Sequence, residues 1–138
     1  MPDFIVHQHL TPEIYEHIFD AISNGQPDEL TYWPMEDRDN PRVDASKVNP
    51  NRAQAMAHNV AHFKDMGGNI RTQPAGAGLS WDEYPFASTL EGGTDSSVRA
   101  VPEREQRVQG GSLSGFYTQH NMTRGSKFRV VLSPNRLE

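Results

Sequence analysis

Asp82 and Glu83 stand side by side in Leu79-Ser80-Trp81-Asp82-Glu83-Tyr84-Pro85-Phe86, an aromatic stretch of extended character. Adjacent carboxylates are hard oxygen donors, suited to a divalent cation or to proton transfer. Charge along the chain gives them a context. Residues 1–98 hold 6 Lys plus Arg against 15 Asp plus Glu, net -9, whereas residues 99–138 hold 7 against 3, net +4. A cationic surface is therefore expected beside the carboxylate pair. That combination suits metal-dependent phosphodiester hydrolysis, in which the ion takes oxygen ligands and polarises the phosphate while Arg side chains hold flanking phosphates. The plainer reading of the same counts is a solvated charge asymmetry with no catalytic meaning.

Other constellations carry less. Gly110-Gly111-Ser112-Leu113-Ser114-Gly115 lacks the Gly two before and two after either Ser that a nucleophile elbow requires, and Gly76-Ala77-Gly78 has no dinucleotide fingerprint around it. Both read as turns. His58 and His62, four apart, could present two imidazoles to one metal, but Asn59, Val60 and Ala61 between them supply no zinc-protease Glu. Two partly exposed helix histidines are the alternative. A glycosidase would need facing carboxyls, for which Asp82 with Glu91 or Glu105 could serve, yet Trp33 and Trp81 are the only tryptophans available to line a sugar cleft. The chain has no Cys, which excludes disulfides, a thiolate zinc site and a thiol nucleophile.

The elements that must position these residues follow from pattern. A chain of 138 residues suffices for one compact domain, and net -5 argues against coating nucleic acid or membrane by charge alone. A short strand is predicted over Asp3 to Leu10. Thr11-Pro12-Glu13 then reads as a helix start, with Ile14, Ile18 and Ile22 forming a stripe beside Tyr15 and Phe19 that ends near Asn24-Gly25. Residues 26–50 lack either period and predict a long surface excursion. A second helix is expected from Asn49-Pro50 to Gly67-Gly68, with Ala53, Met56, Ala57, Val60 and Phe63 on one face. After Gly76 the character changes: extended runs at Leu79 to Phe86 and Ser97 to Val101, a helix starting at Gly110-Gly111-Ser112, and a last strand from Lys127 to Leu132. The expected class is α+β, a single domain over residues 1–138 with an N-terminal part at 1–75 and a strand-strand-helix core at 76–132. Met1-Pro2-Asp3-Phe4 does not begin a signal peptide, and no apolar run of about 18 residues could span a bilayer. The expectation is a cytosolic protein, or a domain of something larger, without a membrane partner.

Trp81-Asp82-Glu83-Tyr84-Pro85-Phe86-Ala87-Ser88-Thr89-Leu90-Glu91-Gly92-Gly93 resembles the signature of the NucA/NucB deoxyribonucleases, and Val101-Pro102-Glu103-Arg104-Glu105-Gln106 followed by Gln109-Gly110-Gly111-Ser112-Leu113-Ser114-Gly115-Phe116-Tyr117 is similar to that family's second block. Ile18 to Pro27 and Asn51-Arg52 are weaker echoes. The resemblance implies a ββα-metal-like nuclease core flanked by N-terminal helices. It also implies a largely sequence-nonspecific endonuclease that hydrolyses DNA with Mg²⁺ or Mn²⁺. By it, Asp82 takes the place of the catalytic carboxylate, as water activator or as direct metal ligand, and Glu105 joins it as a catalytic candidate. One of Glu105 and Gln106 is expected to hold the metal, with Glu83 as a further ligand or supporting carboxylate. Arg99 and Arg107 are phosphate candidates on charge and position, and Tyr84, Pro85 and Phe86 are expected to pack the site. Many relatives carry Cys or a signal peptide; this chain has Trp81 before the Asp-Glu pair. It resembles the Cys-free toxin domains of bacterial antagonism systems, which would imply a cognate immunity protein and action in a target-cell cytosol. The same residues also fit an ordinary intracellular nuclease, or a non-catalytic DNA- or protein-binding domain on the same scaffold.

Overall fold

Pro12 sets the first turn of helix α1, which runs Pro12–Ser23 in a computed structural model that describes residues 1–34, 75–92 and 96–135. The buried face of α1 is Ile14, His17, Ile18 and Ala21. This is the i, i+3, i+4, i+7 pattern of a 3.6-residue repeat. Of the expected stripe, Ile14 and Ile18 are fully buried and Ile22 and Tyr15 pack against the core, although steps of four residues drift about 40° around the axis each time. Ile22 is only partly buried, and Phe19 is 52% exposed.

Strand β1 (Asp3–His7) precedes α1, and β2 (Glu29–Thr31) follows it. The excursion predicted from residue 26 therefore begins with a strand. β2 escaped pattern reading because it is three residues long, too short for alternation to register, although it buries Leu30 completely. The expected second helix, with His58 and His62, lies outside the described residues.

The further elements among the described residues are β3 (Leu79–Tyr84), β4 (Ser97–Pro102), helix α2 (Glu103–Gln119) and β5 (Lys127–Ser133). Strand β3 stops before Pro85, which has no N–H for a ladder. Helix α2 begins at Glu103, not at the predicted Gly110-Gly111-Ser112. The two glycines, with Gly115, lie within the helix. Their low propensity is overridden by a tertiary face of Glu105, Gln109, Leu113 and Phe116, all buried.

Among the described residues two sheets form, of orders β1-β5-β2 and β3-β4. β5 is central in the first, parallel to β1 with Phe4 opposite Val130, and antiparallel to β2 with Leu30 opposite Phe128. β3 and β4 form an antiparallel pair with Asp82 opposite Arg99. Both sheets and both helices contribute to one apolar core, in which Phe4 meets the ring edges of Phe86 and Phe116 at centroid distances of 5.9 and 5.4 Å. The fold is α+β, and β3, β4 and α2 succeed one another as strand, strand, helix. Among the described residues no helix is long and apolar enough to cross a membrane.

Candidate active site

Alternation along β3 buries Asp82 and Tyr84 while Trp81 and Glu83 stay half-buried. Helix α2 passes alongside, and its Gln106, Gln109 and Leu113 fall on one face at i, i+3 and i+7. Between strand and helix lies an open cleft of about 350 Å³ whose polar lining is Asp82, Glu83, Ser88, Gln106 and Gln109. A second groove of about 380 Å³ shares Ser88 and Leu113 with it and continues past Tyr32, Gly110, Ser114 and Tyr117. Asp82 and Glu83 both line the first cleft, and neither lines the slightly larger groove.

Asp82 is 2% exposed and is held from two sides. His17 Nδ1 lies 2.7 Å from its Oδ2, and Gln109 Nε2 donates to its Oδ1 at 3.2 Å. On its far side, His17 Nε2 is 2.9 Å from Ser97 Oγ. An ionised carboxylate can only accept, so His17 Nδ1–H is the donor toward Asp82, while Nε2 and the Ser97 hydroxyl share the second contact. Because Gln109 turns its amide nitrogen to Asp82, its Oε1 is buried with no hydrogen-bond partner. Gln106 donates its amide N–H to the Trp81 carbonyl at 2.7 Å, which fixes α2 against β3.

The structure thus brings Asp82, Glu83 and Gln106 into one cleft. Glu105 is turned elsewhere. It is 4% exposed, and its Oε1 accepts the backbone N–H groups of Glu13 and Ile14 at 2.9 and 3.0 Å. Thr11, the local N-cap of α1, makes no side-chain cap hydrogen bond. A carboxylate from α2 therefore satisfies the orphan donors of α1 and complements its dipole. Arg99 reaches Asp20 at 2.9 Å, and both side chains are about two-fifths exposed. Arg107 is exposed on α2. Among the described residues no group of three or more His, Asp or Glu side chains is gathered around one point.

The rest of the Asp82 segment is a scaffold. Tyr84, Pro85 and Phe86 are buried, as expected for packing residues. The Tyr84 hydroxyl donates to the Pro27 carbonyl at 2.7 Å, and burial, aided by Asp28 and Glu91, pushes its pKa well above the usual phenol value. Glu91 grips Thr31 through the backbone N–H at 2.6 Å and the hydroxyl at 2.7 Å, which ties the segment to β2. A Cβ at Gly92 would lie 2.7 Å from the Phe86 carbonyl oxygen, so the turn closes only with glycine there.

His17, Ser97 and Gln109 were absent from the sequence-derived site. His17 did carry a signal: it shares the 14, 17, 18, 21 face that an amphipathic helix buries, and a polar residue on such a face needs a partner. Nothing in the sequence showed that the partner would be Asp82.

A β-hairpin and a following helix that enclose a buried carboxylate in a cleft lined with amides define a small α+β protein with a polar, enzyme-like site. The sequence model of the family described as deoxyribonuclease NucA/NucB matches residues 18–131, and the chain belongs to that family. The family implies a DNA-hydrolysing enzyme, and the matched span holds Asp82, Glu83, Glu105 and Gln106. Comparison with curated proteins gives no match.

Proposed function

We propose that the chain is a metal-dependent, largely sequence-nonspecific endonuclease that cuts DNA in the cleft between β3 and α2. The observation that carries this reading is the buried Asp82, fixed on both oxygens at the floor of that cleft, in a chain of a deoxyribonuclease family. Each carboxylate oxygen has two lone pairs, so Asp82 keeps acceptor capacity for a water proton beyond its bonds to His17 and Gln109. Asp82 is assigned the water-activating role. A carboxylate is a weaker base than imidazole, and it suffices where other charges lower the barrier.

The donor set fits a hard divalent cation. Asp82 and Glu83 line the cleft from successive positions of β3, and Gln109, whose Oε1 is a buried amide oxygen without a partner, lines it from α2. Mg²⁺ takes one or two carboxylates and completes its shell with water and phosphate oxygens, so a dense acidic cluster is not required. Glu83 and Gln106 are the protein ligands assigned to Mg²⁺ or Mn²⁺, with Gln109 Oε1 as a further oxygen. When bound, such an ion would polarise the phosphate and stabilise the leaving 3′ oxygen. Of the adjacent pair Glu105 and Gln106, Gln106 lines the cleft, and Glu105 is assigned to support the site through α1. Arg99 and Arg107 are assigned to flanking phosphates. Arg99 would exchange its exposed Asp20 partner for phosphate.

The lack of Cys suits a reducing cytosol. On that ground we assign the chain to the toxin domains of bacterial antagonism, working in a target-cell cytosol, with a cognate immunity protein in the producing cell.

Purified protein incubated with supercoiled DNA or with RNA, each in Mg²⁺, Mn²⁺ or EDTA, tests the reading. Expected are nicked and linear DNA with either metal, none in EDTA, and intact RNA. DNA binding without cutting in any metal would favour the non-catalytic binding domain instead.

A further inference from the structure

His17 is completely buried, so it cannot itself meet a phosphate or a water in the cleft; its link to the cleft runs through Asp82. The chain of contacts is continuous. Ser97 Oγ at 2.9 Å sets the imidazole, the imidazole at 2.7 Å sets Oδ2 of Asp82, and Gln109 at 3.2 Å sets Oδ1. Three separate elements supply the clamp: α1 gives His17, β4 gives Ser97 and α2 gives Gln109. A carboxylate bonded on one oxygen alone could still rotate about its Cβ–Cγ bond. Bonded on both, it presents its remaining lone pairs in one plane.

We infer that His17 is a positioning residue of the nuclease, one that orients the Asp82 carboxylate through Nδ1 and is itself held by Ser97 through Nε2. The inference rests on the assignment of Asp82 as the reacting carboxylate. The family match begins one residue after His17, so the role is read from the geometry alone. Its physical content is preorganisation: a misplacement of a reacting group by about 1 Å can cost roughly 10²-fold in rate.

The test compares His17→Ala, His17→Asn, His17→Gln, Ser97→Ala and Asp82→Ala by kcat and KM on plasmid DNA, with circular dichroism and Tm for each. The Asn amide nitrogen stands where Nδ1 stands and can still donate to Asp82. The Gln amide nitrogen stands nearer to Nε2 and serves Ser97 instead. Expected are a fall in kcat of about 10²-fold for His17→Ala with KM within about twofold, and recovery to within about tenfold of wild type in His17→Asn but not in His17→Gln. Ser97→Ala, which leaves the imidazole in place, should lose about tenfold in kcat with an unchanged fold. A folded His17→Ala at full kcat, or equal rescue by Asn and Gln, overturns the positioning role. Should His17→Ala not fold, the Asn and Ser97→Ala variants decide: wild-type kcat in Ser97→Ala, or no gain in a folded His17→Asn over His17→Gln, overturns it. Full cleavage by Asp82→Ala would instead sink the assignment of Asp82, an outcome distinct from all of these.

Discussion

Asp82 and Arg99 are directly opposite each other in the β3–β4 pair, yet each bonds to a different residue of α1: Asp82 to His17 and Arg99 to Asp20. Opposite residues on an antiparallel pair share a face, and His17 and Asp20 are one helical turn apart. One helix thus engages a buried carboxylate and a partly exposed guanidinium from the same rung. The burial difference separates their functions. The Arg99–Asp20 pair is exposed enough that its loss should change stability by less than about 1 kcal/mol. Arg99→Ala is therefore expected to keep its Tm and to bind DNA more weakly, with the salt dependence of log K reduced by about one phosphate contact. Binding isotherms at several salt concentrations measure this. An unchanged slope would remove Arg99 from the phosphate contacts.

Asp82→Ala is expected to lower kcat by about 10² to 10⁴-fold, the usual contribution of a positioned base. It also leaves the His17 and Gln109 donors without their acceptor, at about 1–3 kcal/mol of stability. Asp82→Asn preserves the volume and one acceptor oxygen, so it should fold more stably than the Ala variant and remain inactive. Single-turnover cleavage with Tm for both variants is the measurement; activity in Asp82→Asn near wild type contradicts the assignment.

Glu105→Ala should behave differently. It uncaps α1 across the tertiary interface, and loss of a charged acceptor from two backbone donors is expected to cost about 1–3 kcal/mol. The amide of Glu105→Gln can still accept one of these bonds and should recover part of the loss. Denaturant midpoints for the two variants check this. A Glu105→Ala protein as stable as wild type but inactive would instead put Glu105 in direct contact with the reaction.

Helix α2 carries Gly110, Gly111 and Gly115 on positions where an added Cβ meets nothing within 4 Å. Each is therefore expected to accept Ala with a gain of about 0.5–1 kcal/mol. Gly110 also lines the groove that continues from the Asp82 cleft. If DNA lies along that groove, Gly110→Ala should raise Tm and also raise KM, whereas Gly111→Ala should raise Tm alone. Equal KM values for the two variants would place DNA elsewhere.

Burial holds the hydroxyls of Tyr84 and Tyr117 well above the usual phenol pKa of 10.0. In each, the charged form is disfavoured only in the folded chain. Their contribution to stability is therefore complete below about pH 10 and is lost as pH rises beyond it, because the unfolded chain releases protons that the folded chain retains. Ultraviolet titration of the 4 tyrosines should show Tyr84 and Tyr117 ionising only with unfolding. Four simple titrations near pH 10 would refute this.

The local elements were legible where a few residues carry the pattern. Pro12 after Thr11 opened α1 and the alternation of Ser97 to Val101 gave β4, whereas the extended run expected as far as Phe86 stops at Tyr84, because Pro85 has no N–H for the ladder. The Gly110-Gly111 pair misled because a breaker in an isolated segment weighs against a helix, whereas α2 is held by Glu105, Gln109 and Phe116 packing against other elements. By itself the sequence determined the α+β class, the carboxylate at residue 82 and a family signature. Only the tertiary structure decided what Asp82 touches and what Glu105 does. His17 and Asp82 lie 65 residues apart, and Glu105 and Ile14 lie 91 apart. A polar group sealed from water must find whatever partner the packed chain brings to it, and neither propensity nor periodicity encodes which partner that is.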